Sequence, residues 1–127
     1  MTYEVGVAAQ FEAAHQLGGD FGPAARLHGH TYRLEVSLRC AELQPDGTAY
    51  DLGRLRQAVD AVAASLDYRN LADVPGLHGR NTTAEVVARH CWENIAAHLR
   101  EAPSGTLAVR LWESPQAWAG CEGPLSG

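Results

Sequence analysis

The chain has 127 residues, 15 acidic and 10 basic side chains and a net charge of −5; that is length for one core, and too acidic a balance for a phosphate-tracking nucleic-acid groove. No apolar run approaches the roughly 20 residues a membrane span needs, and the N-terminal stretch MTYEVGVAAQFE has neither region of a signal peptide, so the expected location is the cytoplasm. All 10 basic residues are arginines, which excludes lysine Schiff-base chemistry and leaves bidentate clamps on carboxylate or phosphate open.

In chain order, residues 3 to 13 alternate, with Tyr3, Val5, Val7, Ala9 and Phe11 on one face and Glu4, Gln10 and Glu12 on the other, the period of a half-buried strand whose phase His15 continues. The following GGDFGPAA is a loop. A second strand is expected from about His28 to Arg39, its apolar face Tyr32, Leu34, Val36 and Leu38 in register with His28 and His30. After the turn at residues 44 to 48, Asp51 is placed to cap a helix carrying Leu52, Leu55, Val59, Val62 and Leu66 at helical spacing.

The stretch DYRNLADVPGLHGRN reads as a long loop. Thr82-Thr83-Ala84-Glu85 has the Thr-x-x-Glu form of a capping box and opens a second helix through Val86, Val87, Cys91, Ile95 and Leu99. Thr106 to Glu113 alternates again, with Leu107, Val109, Leu111 and Glu113 on one face, and a short strand near Ala117 to Cys121 ends the pattern. Strand, strand, helix, helix, strand, strand implies one α+β domain over residues 1–127, an antiparallel sheet with its helices on one face. The sheet's edges invite pairing with other copies, so a homo-oligomer is expected. Cys40, Cys91 and Cys121 are odd in number and form no Cys-x-x-Cys pair, which fits reduced thiols.

Three of the 6 histidines gather in one spacing, His15 and His28-Gly29-His30. Side chains alternate along a strand, so a His-x-His pair places both imidazoles on one side, within reach of one small metal. Three neutral nitrogen ligands and an open position describe a catalytic zinc site. By spacing alone, two surface histidines at a strand start read equally well.

The segments Phe11-Glu12-Ala13-Ala14-His15 and Leu27-His28-Gly29-His30-Thr31-Tyr32 closely resemble the F-x-A-A-H and L-H-G-H-x-Y signatures of the 6-pyruvoyltetrahydropterin and 6-carboxytetrahydropterin synthase family. The resemblance continues through Asp51-Leu52, Leu66-Asp67, Asn81 to Glu85, and Glu113. It implies the tunnelling fold (T-fold), subunits joined as a hexamer of two trimers, and active sites between subunits. It makes His15, His28 and His30 the ligands of a zinc ion (Zn2+), Glu113 the carboxylate that anchors a pterin, and Thr83 a pterin contact. A carboxylate suits the amino-pyrimidine edge because it accepts two parallel hydrogen bonds. On its own, Glu113 reads as a solvated strand-end residue and Thr83 as a cap.

The sequence departs from the family at two positions. Ala24 stands where the family's proton-transferring Cys lies, four residues before the first His of the pair, and Asp67-Tyr68 stands where the family has an Asp-His shuttle. The resemblance then implies a zinc-dependent lyase acting on 7,8-dihydroneopterin triphosphate or a related pterin-like substrate, with altered chemistry. Tyr68 serves as general acid, and Asp67, Arg69 or zinc-bound water takes the Cys role. The alternatives are a catalytically silent zinc- and pterin-binding homologue, or a structural metal site in an oligomer. His78, His90 and His98 have no partner at ligand spacing and receive no role. Trp92, Trp112 and Trp118 are assigned to core or subunit contacts.

Overall fold

A computed structural model of the chain describes residues 1–125. Strands β1 (Tyr3–His15) and β2 (His28–Cys40) form an unbroken antiparallel ladder from Tyr3 opposite Cys40 to His15 opposite His28. The apolar sets of both strands fall on the same face, where Phe11, Tyr32, Leu34 and Val36 are buried. A one-residue slip would turn all of these outward, so burial itself holds the register. Because the ladder runs to its last pair, His15 and His28 face each other at one end of the sheet.

Helix α1 (Leu52–Leu66) is capped by Asp51, whose carboxylate accepts from the N–H groups of Gly53 and Arg54 at 2.9 and 3.3 Å. It lies across β1 through Leu55, Val59, Val62 and Leu66. Burying each such side chain contributes about 1.5–3 kcal/mol before entropy is counted. Leu52, expected on that stripe, is instead 47% exposed, because it opens the helix ahead of the first turn that meets the sheet.

The segment read as a long loop contains a short strand, β3 (Arg69–Asn70), which pairs in parallel with Ala13 and Ala14. It continues into a 3-10 turn at Leu71–Asp73 and buries Leu71, Val74 and Leu77. Two residues of strand have too little pattern to be read in sequence. Helix α2 (Ala84–His98) is capped by Thr83, whose hydroxyl accepts from the Val86 N–H. The expected Thr82-x-x-Glu85 capping box is therefore not what caps the helix: Thr83 does, with Val86 three residues on, and Thr82 is drawn into the core. Helix α2 packs on β4 (Gly105–Ser114) and β5 (Ala117–Leu125), both longer than the alternation predicts.

The sheet order is β3-β1-β2-β4-β5, with both helices on one face. The expected α+β class and T-fold hold, with β3 added at the edge. The β4-β5 ladder shifts register between Trp112 and Ser114, so an irregularity falls on Glu113. Such bulges bend a strand and re-aim a side chain.

Candidate functional site

The end of the β1-β2 ladder brings the three imidazoles together. Nε2 of His30 lies 3.0 Å from Nε2 of His28 and 3.1 Å from Nε2 of His15. One nitrogen from each ring falls within a 4.8 Å cluster that could hold a metal ion. His15 is buried, while His28 and His30 are half-buried, so the cluster has an inner wall and an open side.

The far side of each ring settles which nitrogen carries hydrogen. Nδ1 of His15 lies 2.7 Å from the carbonyl oxygen of Thr82, and Nδ1 of His28 lies 2.7 Å from that of Arg26. A carbonyl only accepts, so both Nδ1 atoms donate and both Nε2 atoms are left as lone pairs. The backbone of Glu113 lies near the His30 ring. His30 Nε2 can donate to only one of these two lone pairs, so at least one is left for a cation to satisfy. This donor set, neutral imidazoles oriented from behind by carbonyls, fits zinc.

Burial pushes the His30 imidazole below its ordinary value; the Glu113 carboxylate opposes this, and His15 and His28 add to the lowering. The neutral form is the one that binds a metal. The Tyr32 phenol is pushed upward, by burial first and by Glu113 second. Glu113 therefore acts electrostatically on both residues. Tyr32 stacks on Phe11 at 4.9 Å and meets the His30 ring edge-on at 5.3 Å, bracing that ring from the core side.

Thr83 sits half-buried at the start of α2, one residue after the carbonyl that holds His15, with its hydroxyl already serving the helix. Asp67 and Tyr68 lie at the edge of the sheet beside β1. The Asp67 carboxylate accepts from the Glu12 N–H at 2.8 Å, and the Tyr68 N–H donates to the Glu12 carbonyl at 2.6 Å. These two bonds hold Tyr68 at φ 55, a left-handed conformation uncommon for a bulky residue, and leave its side chain 85% exposed. Tyr68 lines an open cleft of about 470 Å³ together with His30, Glu12, Thr31 and Arg69, and makes no hydrogen bond to the three imidazoles among the described residues.

Ala24 lies in the 3-10 turn Gly22–Ala25 of the β1-β2 loop. The three thiols lie elsewhere. Cys40 closes β2 at the end opposite His28, Cys91 is buried on α2, and Cys121 is on β5.

Residues 4–124 match the family described as 6-pyruvoyl tetrahydropterin synthase. The chain belongs to that family. It is 30% identical over 103 residues to a 6-pyruvoyl tetrahydrobiopterin synthase of Dictyostelium discoideum, covering 72% of this chain and 76% of the relative. It is 36% identical over 97 residues to a 6-carboxy-5,6,7,8-tetrahydropterin synthase of a Synechocystis species, covering 72% and 70%. Among solved structures, the 6-pyruvoyl tetrahydropterin synthase of Caenorhabditis elegans superposes with a TM-score of 0.80 at 25% identity, covering 97% of this chain and 96% of that one.

Against this family background, the structure also brings in groups that sequence reading missed. The carbonyls of Thr82 and Arg26 orient two of the imidazoles, and a carbonyl, present at every residue, leaves no mark in a sequence. Asn81, by contrast, was visible inside a family-like segment, and its side chain bonds the loop that holds Ala24.

Proposed function

We propose that this member of the pterin synthase family is a cytoplasmic, zinc-dependent lyase acting on 7,8-dihydroneopterin triphosphate or a related pterin, with altered proton transfer. The observation that carries the reading is the convergence of the His15, His28 and His30 Nε2 atoms within 3.1 Å across each close pair. When bound, zinc supplies Lewis acidity toward the oxygens of the substrate side chain.

The chain's own groups divide the remaining work. Glu113, re-aimed by the strand irregularity, accepts the two N–H groups of the amino-pyrimidine edge and fixes the ring. Thr83 contributes a polar contact to the same ligand. Asp67 keeps its second carboxylate oxygen for a proton, its first being held by Glu12, and the Tyr68 phenol donates one. Tyr68 is turned out to solvent on its own chain. A site completed between copies suits that presentation: the two-residue β3 covers only Ala13 and Ala14 of β1, so the outer edges of β1 and of β5 at the other end of the sheet are largely unpaired among the described residues. We assign a homo-oligomer, a hexamer built as a dimer of trimers.

One observation favours a second reading, a catalytically silent zinc- and pterin-binding protein. No thiol stands at Ala24, and burial pushes the Cys91 thiol up to about 12, far from a working base. Loss of a general base costs on the order of 10² to 10⁴ in rate. Incubating the zinc-loaded protein with 7,8-dihydroneopterin triphosphate, with products followed by absorbance and mass, separates the two. Turnover supports the lyase, and binding without turnover supports the silent protein. Absence of both overturns the pterin assignment.

A further inference from the structure

Two of the three imidazoles are oriented by backbone carbonyls from segments far apart in sequence. Arg26, at the end of the β1-β2 loop, holds His28, and Thr82, just before α2, holds His15. The angle between those rings is therefore set by how the two segments sit against each other. The loop has little order of its own: it contains Gly18, Gly19 and Gly22, the last two at positive φ, and its internal bonds run only between near neighbours and from Leu17 to Ala24. Glycine-rich loops lose the most freedom on ordering.

A single side chain ties the two segments together. The Gly18 N–H donates to Oδ1 of Asn81 at 2.9 Å, and Nδ2 of Asn81 donates to the Gly18 carbonyl at 3.1 Å. This paired contact copies a strand-to-strand bridge with a side-chain amide, and needs both the donor and the acceptor that asparagine supplies. Asn81 also accepts from the Thr83 N–H at 2.9 Å through its own carbonyl, which fixes the backbone around Thr82. The Asn81 amide thus joins the loop bearing the Arg26 carbonyl to the segment bearing the Thr82 carbonyl.

We infer that Asn81 is a positioning residue that couples order in the 16–27 loop to metal retention by the His15, His28 and His30 cluster. The inference rests on the zinc reading proposed above. Order in the loop holds the imidazole nitrogens in place for the ion, and the ion in turn restrains the loop. Removing the amide loosens the loop and weakens metal binding while leaving both helices and the sheet intact, since Asn81 is exposed and outside the core.

The test compares the zinc-loaded wild-type chain with Asn81→Ala and Asn81→Asp, using hydrogen exchange of residues 16–27 and zinc competition against a chromophoric chelator. In Asn81→Ala, exchange of the loop rises and the zinc Kd rises about tenfold, the lower end of what groups supporting a metal ligand contribute. The melting temperature of the zinc-free protein stays within about 2 °C, as for a surface substitution. Asn81→Asp keeps the acceptor for Gly18 and loses the donor, so it falls between wild type and Asn81→Ala in both measurements. Unchanged loop exchange in Asn81→Ala overturns the inference, and so does faster exchange with an unchanged zinc Kd. A wild-type chain that takes up no zinc overturns the metal reading itself and the coupling with it. Zinc uptake by wild type with no effect of Asn81→Ala overturns the coupling alone.

Discussion

His15 donates through Nδ1 to the carbonyl of Thr82, at 2.7 Å and across 67 residues of chain. Both ends are sealed from water, with His15 1% and Thr82 2% exposed. A buried hydrogen bond of this kind fixes the tautomer as well as the ring angle, and it leaves Nε2 as a lone pair facing His30.

His28→Ala removes one of three converging nitrogens. Metal analysis of the purified variant is expected to show zinc falling from one ion per chain toward none, a loss beyond the 10–100-fold that supporting groups alone supply. Retention of stoichiometric zinc would sink the three-histidine centre.

Glu113→Gln keeps size and loses the second acceptor and the charge. Charge-assisted hydrogen bonds are worth about 1.5–3 kcal/mol, so pterin affinity is expected to drop about 10- to 100-fold by titration calorimetry. Zinc content should not change. The Glu113 carboxylate raises the pKa of His30, and its removal favours the neutral imidazole that binds metal. A loss of zinc with intact pterin affinity would reverse the assignment.

Thr83→Ala strips the cap from α2. The expected cost is about 1 kcal/mol, seen as a lowered urea midpoint, with Thr83→Ser restoring it. If Thr83→Ser restores stability and pterin affinity together, the hydroxyl serves both; a pterin affinity untouched in both variants would confine Thr83 to the helix.

Tyr32→Phe deletes a hydroxyl that is buried with no hydrogen-bond partner among the described residues. Leaving such a group unpaired is costly, so the variant is expected to match wild type in urea unfolding or exceed it by about 1 kcal/mol. A destabilisation of that size would show that the hydroxyl has a partner in solution.

Cys91 sets an alkaline limit. Burial, with Cys121 adding, raises its thiol to about 12 from an ordinary 9.0. The folded state keeps this proton longer than the unfolded chain does, so the contribution is fully present below the unfolded value and is lost as pH rises through the folded one. Stability should fall by about 1.4 kcal/mol per pH unit between those limits through this group alone. Cys91→Ala should flatten that slope in urea unfolding measured across the alkaline range, and an unchanged slope would assign it to other groups.

Much of the fold is legible because the physics involved is local. Alternation in residues 3 to 13 and 28 to 39, and helical spacing from Leu55 to Leu66, mark buried faces directly. The start of the second helix was legible too, but not its cap, since the expected box of Thr82 and Glu85 gives way to Thr83 alone. Thr82 and Thr83 are the same residue type side by side, and only packing assigns one to the core and the other to the helix. Strand β3 escaped notice because two residues carry no period, and Tyr68 at φ 55 because positive φ has no mark in a non-glycine residue.

By itself the sequence determined the element order, the shared face of His15, His28 and His30, the family, and the replacements at Ala24 and Tyr68, since each depends on residue type and spacing along the chain. Only the tertiary structure decided that the three Nε2 atoms converge, that Arg26 and Thr82 orient two of the rings, that Glu113 acts on His30, and that Tyr68 faces outward. Those are relations between backbone groups and side chains distant in sequence. They come into being when the ladder closes at His15 and His28 and the segment before α2 brings the Thr82 carbonyl against His15.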